Sequence, residues 1–169
     1  TTMRVIELLG EGATSLPTQL YAPHPRSPDY PKTVKENLMK PTARLWTSTA
    51  RQTARGYTSA WVEWCKSEMP GWVGKIGFLF QVSGQPRILT LRSDQDALRV
   101  AKKYGQDLKS VEQMFFSMPW QAISQDFDAI RYVPSGHDFF MGTWDVESTA
   151  WFDTKFLQNK QQVKIDKSK

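Results

Sequence analysis

The chain has 169 residues and 19.4 kDa, with 40% hydrophobic and 23% charged side chains, which suits one domain with a real core. Seven Trp, five Tyr and nine Phe exclude wholesale disorder, and a single cysteine, Cys65, excludes an intrachain disulfide and a multi-cysteine zinc site. The net charge of +5 is uneven, with five Lys and one Asp in residues 155–169, seven basic and two acidic groups in residues 26–55, and five basic and ten acidic groups in residues 93–154, which excludes a uniformly basic nucleic-acid binder.

Residues 4–9 (RVIELL) predict a first buried strand, ended by the turn signal Gly10-Glu11-Gly12. Residues 17–41 carry six prolines, which remove backbone donors, so this stretch is expected to be an irregular loop. Residues 44–49 (RLWTST) form a short β-prone segment. Ala60, Trp61, Trp64, Cys65 and Met69 recur at helical spacing over residues 59–69, and Pro70-Gly71 stops that helix. Trp61, Trp64 and Cys65 share its apolar face and are expected to be buried. Residues 75–82 (KIGFLFQV) and 87–91 (RILTL) predict two strands joined through Ser83-Gly84-Gln85-Pro86.

Ser93 caps the next helix, with Asp96 three residues on as an imperfect capping box and Ala97, Leu98, Ala101 and Tyr104 as its apolar face. A further helical stretch covers about 109–118, and Pro119-Trp120 opens a short turn of helix. Residues 127–133 predict a strand, Pro134-Ser135-Gly136 a turn, and residues 138–144 and 147–153 a strand pair. The order is α+β with segregated elements. It reads as one domain over 1–154 followed by a basic C-terminal tail over 155–169. That tail is either a solvated, frayed terminus or an electrostatic contact for nucleic acid.

The sequence holds no glycine-rich phosphate loop, no GxGxxG, no GxSxG and no HExxH. Cys65 falls on an apolar helix face, where a thiol reads as core. His24 and His137 lie in a loop and a turn and read as surface groups. No apolar run nears the ~20 residues that cross a bilayer, and no signal-peptide pattern is visible, so the expected setting is a reducing cytoplasm.

Several segments taken together resemble the mono-ADP-ribosyltransferases, in particular bacterial toxin and phage members. They are residues 45–50 (LWTSTA), 59–64 (SAWVEW), the strands at 76–80 and 88–91, residues 127–130 (FDAI), a glycine turn, and residues 147–153 (ESTAWFD). The resemblance spans roughly residues 43–153. Ala129 stands where the family strand usually has Gly, and Arg4 is the one first-strand match. The resemblance implies an α+β fold with a split β-sheet and flanking helices, NAD as substrate, and Glu147 as the catalytic carboxylate. It also implies that residues 44–49 and 147–153 lie side by side.

Breaking the nicotinamide–ribose bond builds oxocarbenium-like charge on the ribose, which a carboxylate beside that carbon stabilises. Thr47, Ser48 and Thr49 would hydrogen-bond the ribose and position Glu147. Arg4, Arg44 or Arg51 would neutralise the pyrophosphate, and Tyr57, Trp46 or Trp61 would stack on the nicotinamide. Read without the resemblance, Glu147 is a surface charge, residues 47–49 a strand end, and the aromatics core. Three functions remain open. One is transfer of ADP-ribose from NAD to a macromolecular acceptor, protein or nucleic acid, in a bacterial or phage-infected cell. The second is a non-catalytic module holding nucleic acid or protein, and the third an NAD glycohydrolase. Residues 26–55 and the lysine tail are the surface expected to meet DNA or RNA, and an antitoxin-like inhibitor is a further expected partner.

Overall fold

A computed structural model describes residues 16–26 and 40–169. The strand predicted over residues 4–9, its glycine turn and Arg4 lie outside the described residues. The described chain is α+β. Its strands are β1 Gln19–Tyr21, β2 Leu45–Thr49, β3 Arg51–Thr53, β4 Gly56–Thr58, β5 Ile76–Val82, β6 Ile88–Leu91, β7 Ala129–Tyr132, β8 Ser148–Trp151 and β9 Leu157–Lys164. Its α-helices are α1 Ala60–Glu68, α2 Asp94–Lys103, α3 Val111–Ser117 and α4 Trp120–Asp126. Seven strands make one mixed sheet in the order β6-β7-β8-β2-β1-β5-β9, while β3 and β4 form a separate ribbon. Only β6 and β7 run parallel among these neighbours, joined by a crossover that contains α2, α3 and α4.

Helix starts follow the local chemistry of serine. Ser59 is extended, and its hydroxyl accepts the Val62 N–H at 3.2 Å, opening α1. Met69 closes that helix by donating to the Cys65 carbonyl, and Pro70, which has no N–H, cannot extend it. Ser93 accepts the Asp96 N–H at 3.1 Å at the start of α2. The Asp96 carboxylate accepts the Arg92 N–H at 2.8 Å, one residue before the cap, so the imperfect box closes on Arg92 and not on Ser93.

Strand register fixes which side chains share a face. Leu20, Leu79, Ser48, Trp46, Ala150, Ile130 and Leu89 point one way. The four helices of the described residues pack on that side. Val62 and Cys65 of α1 meet Leu20 and Leu79. Ala97, Val100, Met114, Trp120 and Ile123 meet Leu89, Leu91, Ile130 and Ala150. The opposite face is built from Leu45, Phe80, Ile88, Ala129 and Trp151, together with Leu16 and Leu157. Cys65 is fully buried, and burial pushes its thiol up to about 11. It is expected to resist thiol reagents near pH ~8 in the folded protein and to react fully on unfolding. Rapid labelling of the native chain would contradict this packing. The unfolded thiol ionises first, so this group lowers stability as pH climbs from about 9 towards 11.

Four expectations are corrected. The proline-rich loop contains β1, paired on both sides, because Pro17 and Pro23 flank three residues that keep their donors. Residues 138–144 are not a strand. Three consecutive N–H groups, of Phe139, Phe140 and Met141, donate to the buried Asp94 carboxylate, and the chain then turns through a 3-10 segment, Met141–Trp144. The basic tail is not a frayed terminus over its length, since β9 pairs along β5 from Ile76↔Lys164 to Val82↔Leu157. Trp61 and Trp64 are half-buried rather than core, stacked on each other at 5.1 Å. β5 and β6, joined by only a short loop, do not pair and sit in opposite halves of the sheet.

Candidate functional site

The ladder between β1 and β2 is two residue pairs long, Gln19↔Thr49 and Leu20↔Ser48. Beyond it the strands diverge, Tyr21 continuing beside Phe78 of β5 and Thr47 beside Thr149 of β8. A cleft of about 520 Å³ opens at this divergence. Its floor comes from Leu20, Tyr21, Trp46, Ser48 and Ser148, and the indoles of Trp61, Trp72 and Trp144 also line it. Trp46 meets Trp144 edge-on at 4.8 Å, and Trp61 leans on Trp72 at 6.3 Å. The Lys40 ammonium lies 5.9 Å from the Trp46 ring. Burial lowers its pKa, against the pull of the Asp145 carboxylate, and burial raises that of Asp145.

Glu147 stands at the entrance to β8. It follows Asp145, whose φ of 68° and ψ of −54° close a tight γ-turn with the Val146 N–H donating to the Trp144 carbonyl at 2.8 Å. A non-glycine residue in that region is strained. The turn joins the cleft-lining Trp144 to Glu147 within three residues. The carboxylate is then held by β2. The Thr49 hydroxyl donates to Oε1 at 2.5 Å, and the Thr49 N–H reaches Oε2 at 3.1 Å and Oε1 at 3.3 Å. The Ser48 hydroxyl, in the cleft, donates to the Glu147 carbonyl at 2.8 Å. Oε1 also accepts from Arg131 Nη2 at 3.5 Å, with the Glu147 and Arg131 side chains 16% and 24% exposed. Oε2 therefore keeps the greater remaining acceptor capacity.

Arg131 was not among the residues expected from sequence. Its signal was a single charge inside the apolar strand AIRY, where register places it opposite Thr149. Arg131 Nε and the Thr149 hydroxyl are buried without a protein hydrogen-bond partner, two adjacent polar groups next to the Glu147 carboxylate. Buried polar groups of this kind call for a water or a ligand atom.

The other expected residues divide. Trp46, Ser48 and Trp61 line the cleft, and Thr49 holds Glu147. Thr47 touches the cleft, but its hydroxyl accepts from Trp151 Nε1 at 2.9 Å and donates to Gln19 Oε1 at 2.7 Å, so it anchors the sheet. Arg44 is exposed at the far end of β2, about 16 Å along an extended strand from Thr49. Arg51 is exposed on the β3–β4 ribbon. Tyr57 packs with Ile165 and α1 instead of facing the cleft. Thus neither described arginine of the expected pyrophosphate set lines the cleft, and Lys40 is the cation that does. Glu147 is outside the lining: its carboxylate sits with Thr49 and Arg131, which register places on the sheet face opposite Trp46 and Ser48, and its link to the cleft is the Ser48 hydroxyl on its backbone carbonyl.

Compared with known proteins, the chain matches no family model, no curated protein and no solved structure. Among the described residues, no group of three His, Cys, Asp or Glu converges to hold a metal, and no helix is long and apolar enough to cross a membrane.

Proposed function

We propose that the chain is an NAD-dependent mono-ADP-ribosyltransferase of toxin or phage-effector type, on an ADP-ribosyltransferase-like split sheet, with a macromolecular acceptor. The observation that carries this reading is the clamped carboxylate. Glu147 is fixed by the backbone and hydroxyl of Thr49, and its carbonyl is tied through Ser48 to an indole-rich cleft at the point where β1 and β2 diverge. A carboxylate held this way costs little reorganisation when positive charge develops on the ribose, and Oε2, which already accepts the Thr49 N–H, keeps capacity for a ribose hydroxyl. Trp46, Trp61 and Trp144 offer π-faces for a nicotinamide or adenine ring, and Lys40 supplies positive charge for the pyrophosphate.

A second reading, a binding module without catalysis, is favoured by one feature, the position of Glu147 outside the cleft lining. Incubation with NAD separates the readings. Nicotinamide release with a mass gain of one ADP-ribose on a protein or oligonucleotide acceptor supports transfer. Release with free ADP-ribose alone supports hydrolysis. NAD left intact, with a ligand still held in the cleft, supports the binding module.

A further inference from the structure

The sheet face away from the helices carries a second surface on β5 and β9. The eight residues of β9 read LQNKQQVK and are exposed at nearly every position. Together β1, β5 and β9 contain no acidic residue. Register places Lys164 opposite Ile76 and Gln162 opposite Phe78. The Lys160 ammonium sits 4.6 Å from the centre of the Phe78 ring, which stacks at 6.4 Å on Tyr21. At the strand's start, Lys155 covers Phe156 at 5.0 Å. At its end, Lys164 joins Arg55, Lys75 and Lys167 around a second cavity of about 380 Å³. The one carboxylate there, Asp166, is engaged by the hydroxyls of Thr53 and Ser168.

We propose that this β5–β9 face holds single-stranded nucleic acid. Half-exposed rings at the β5–β9 end of this face accept unpaired bases by stacking, which a duplex cannot offer. Lysines interleaved with those rings neutralise successive phosphates, and the Gln and Asn side chains of β9 present neutral donors and acceptors to base edges. β9 spans roughly 26 Å, enough for several nucleotides. The strand is the acceptor for the site at Glu147, a role that rests on the transferase reading, whereas the binding itself does not.

The test is fluorescence anisotropy of the full chain with labelled oligo(dT) and oligo(U) of about 12 nucleotides, and with a duplex of equal length. Single strands are expected to bind, weakening steeply between about 50 and 200 mM salt. Lys160→Glu combined with Lys164→Glu is expected to weaken binding at least ~10-fold and to lower the salt slope by about 1 to 2. The milder Lys160→Gln is expected to weaken it less. A circular dichroism spectrum unchanged from the parent checks that each variant is folded. Transfer of ADP-ribose to the oligonucleotide, followed in the same samples, is expected to fall in step with the lost binding. No binding by the parent chain, parental binding by a folded double variant, or equal affinity for the duplex would overturn the proposal. Oligonucleotide binding without nicotinamide release keeps this surface and removes the transferase; release without oligonucleotide binding does the reverse.

Discussion

Glu147→Gln is expected to slow NAD cleavage about 10²–10³-fold while leaving the chain folded. The amide keeps the size of the side chain and one oxygen for the Thr49 hydroxyl, but it deletes the charge that an oxocarbenium-like ribose needs. NAD affinity should change far less, because the charge acts mainly in the transition state. Two neighbouring carboxylates serve as controls. Asp138 is occupied by the Tyr132 and Ser135 hydroxyls and the Asp94 N–H. Burial pushes its carboxyl up, but those hydrogen bonds outweigh it and hold the group below the usual carboxylate range. Its contribution to stability is therefore complete above about pH 4 and is lost as the pH falls further. Asp145 lies beside Lys40 and is held up by burial. Nicotinamide release measured for Glu147→Gln, Asp138→Asn and Asp145→Asn settles the assignment. A parental rate in the Glu147 variant with a collapse in the Asp145 variant would move the carboxylate role to Asp145. Equal rates in all three would remove carboxylate catalysis.

Asp94→Ala is expected to cost about 3–5 kcal/mol of folding stability. The Asp94 carboxylate accepts N–H groups from Phe139 at 2.7 Å, Phe140 at 3.2 Å and Met141 at 2.7 Å. Truncation strands donors next to Phe140 and Met141, both fully buried. Each stranded donor costs about 1–3 kcal/mol unless water reaches it. Asp94→Asn keeps one accepting oxygen and should lose roughly half as much. Urea unfolding reads both values, and a loss below ~1 kcal/mol for the alanine variant would show that the segment is held by its apolar side chains alone. Because Trp144 follows directly, the alanine variant should also loosen the cleft wall.

The readable parts of this fold were those decided locally. Ser59 and Ser93 place their helices by hydroxyl capping, Pro70 ends one, and the β-branched and aromatic segments around Trp46 and Ile88 form strands where expected. The neighbourhood of β2 and residue 147, about a hundred positions apart, was legible only through the family resemblance, since periodicity carries no information about which strands pair. What escaped was decided at a distance. Three residues between prolines became a central strand because β2 and β5 both offer edges to them. Residues 138–144 show strand-like aromatics, yet a carboxylate more than forty positions earlier captures their backbone. β9 lacks apolar alternation because it is an edge strand, so its pattern reads as tail. Arg131 could have been noticed as an isolated charge in a buried strand, but its partner Glu147 lies across a neighbouring strand.

The arrangement of β5 has a consequence for biogenesis. The segment IGFLFQV is apolar, β-prone and uncharged, the composition that self-associates when an edge is left open. Its outer edge is closed by β9, which begins seventy-five residues after β5 ends. During synthesis at about 5–20 residues per second, β5 therefore waits several seconds for its partner. Over that interval a second nascent chain or a holdase can occupy the same edge. Expression level and temperature should thus govern the yield of soluble protein more strongly than the stability of the finished fold. When β9 arrives, its Lys160 and Lys164 replace a sticky border with a charged one.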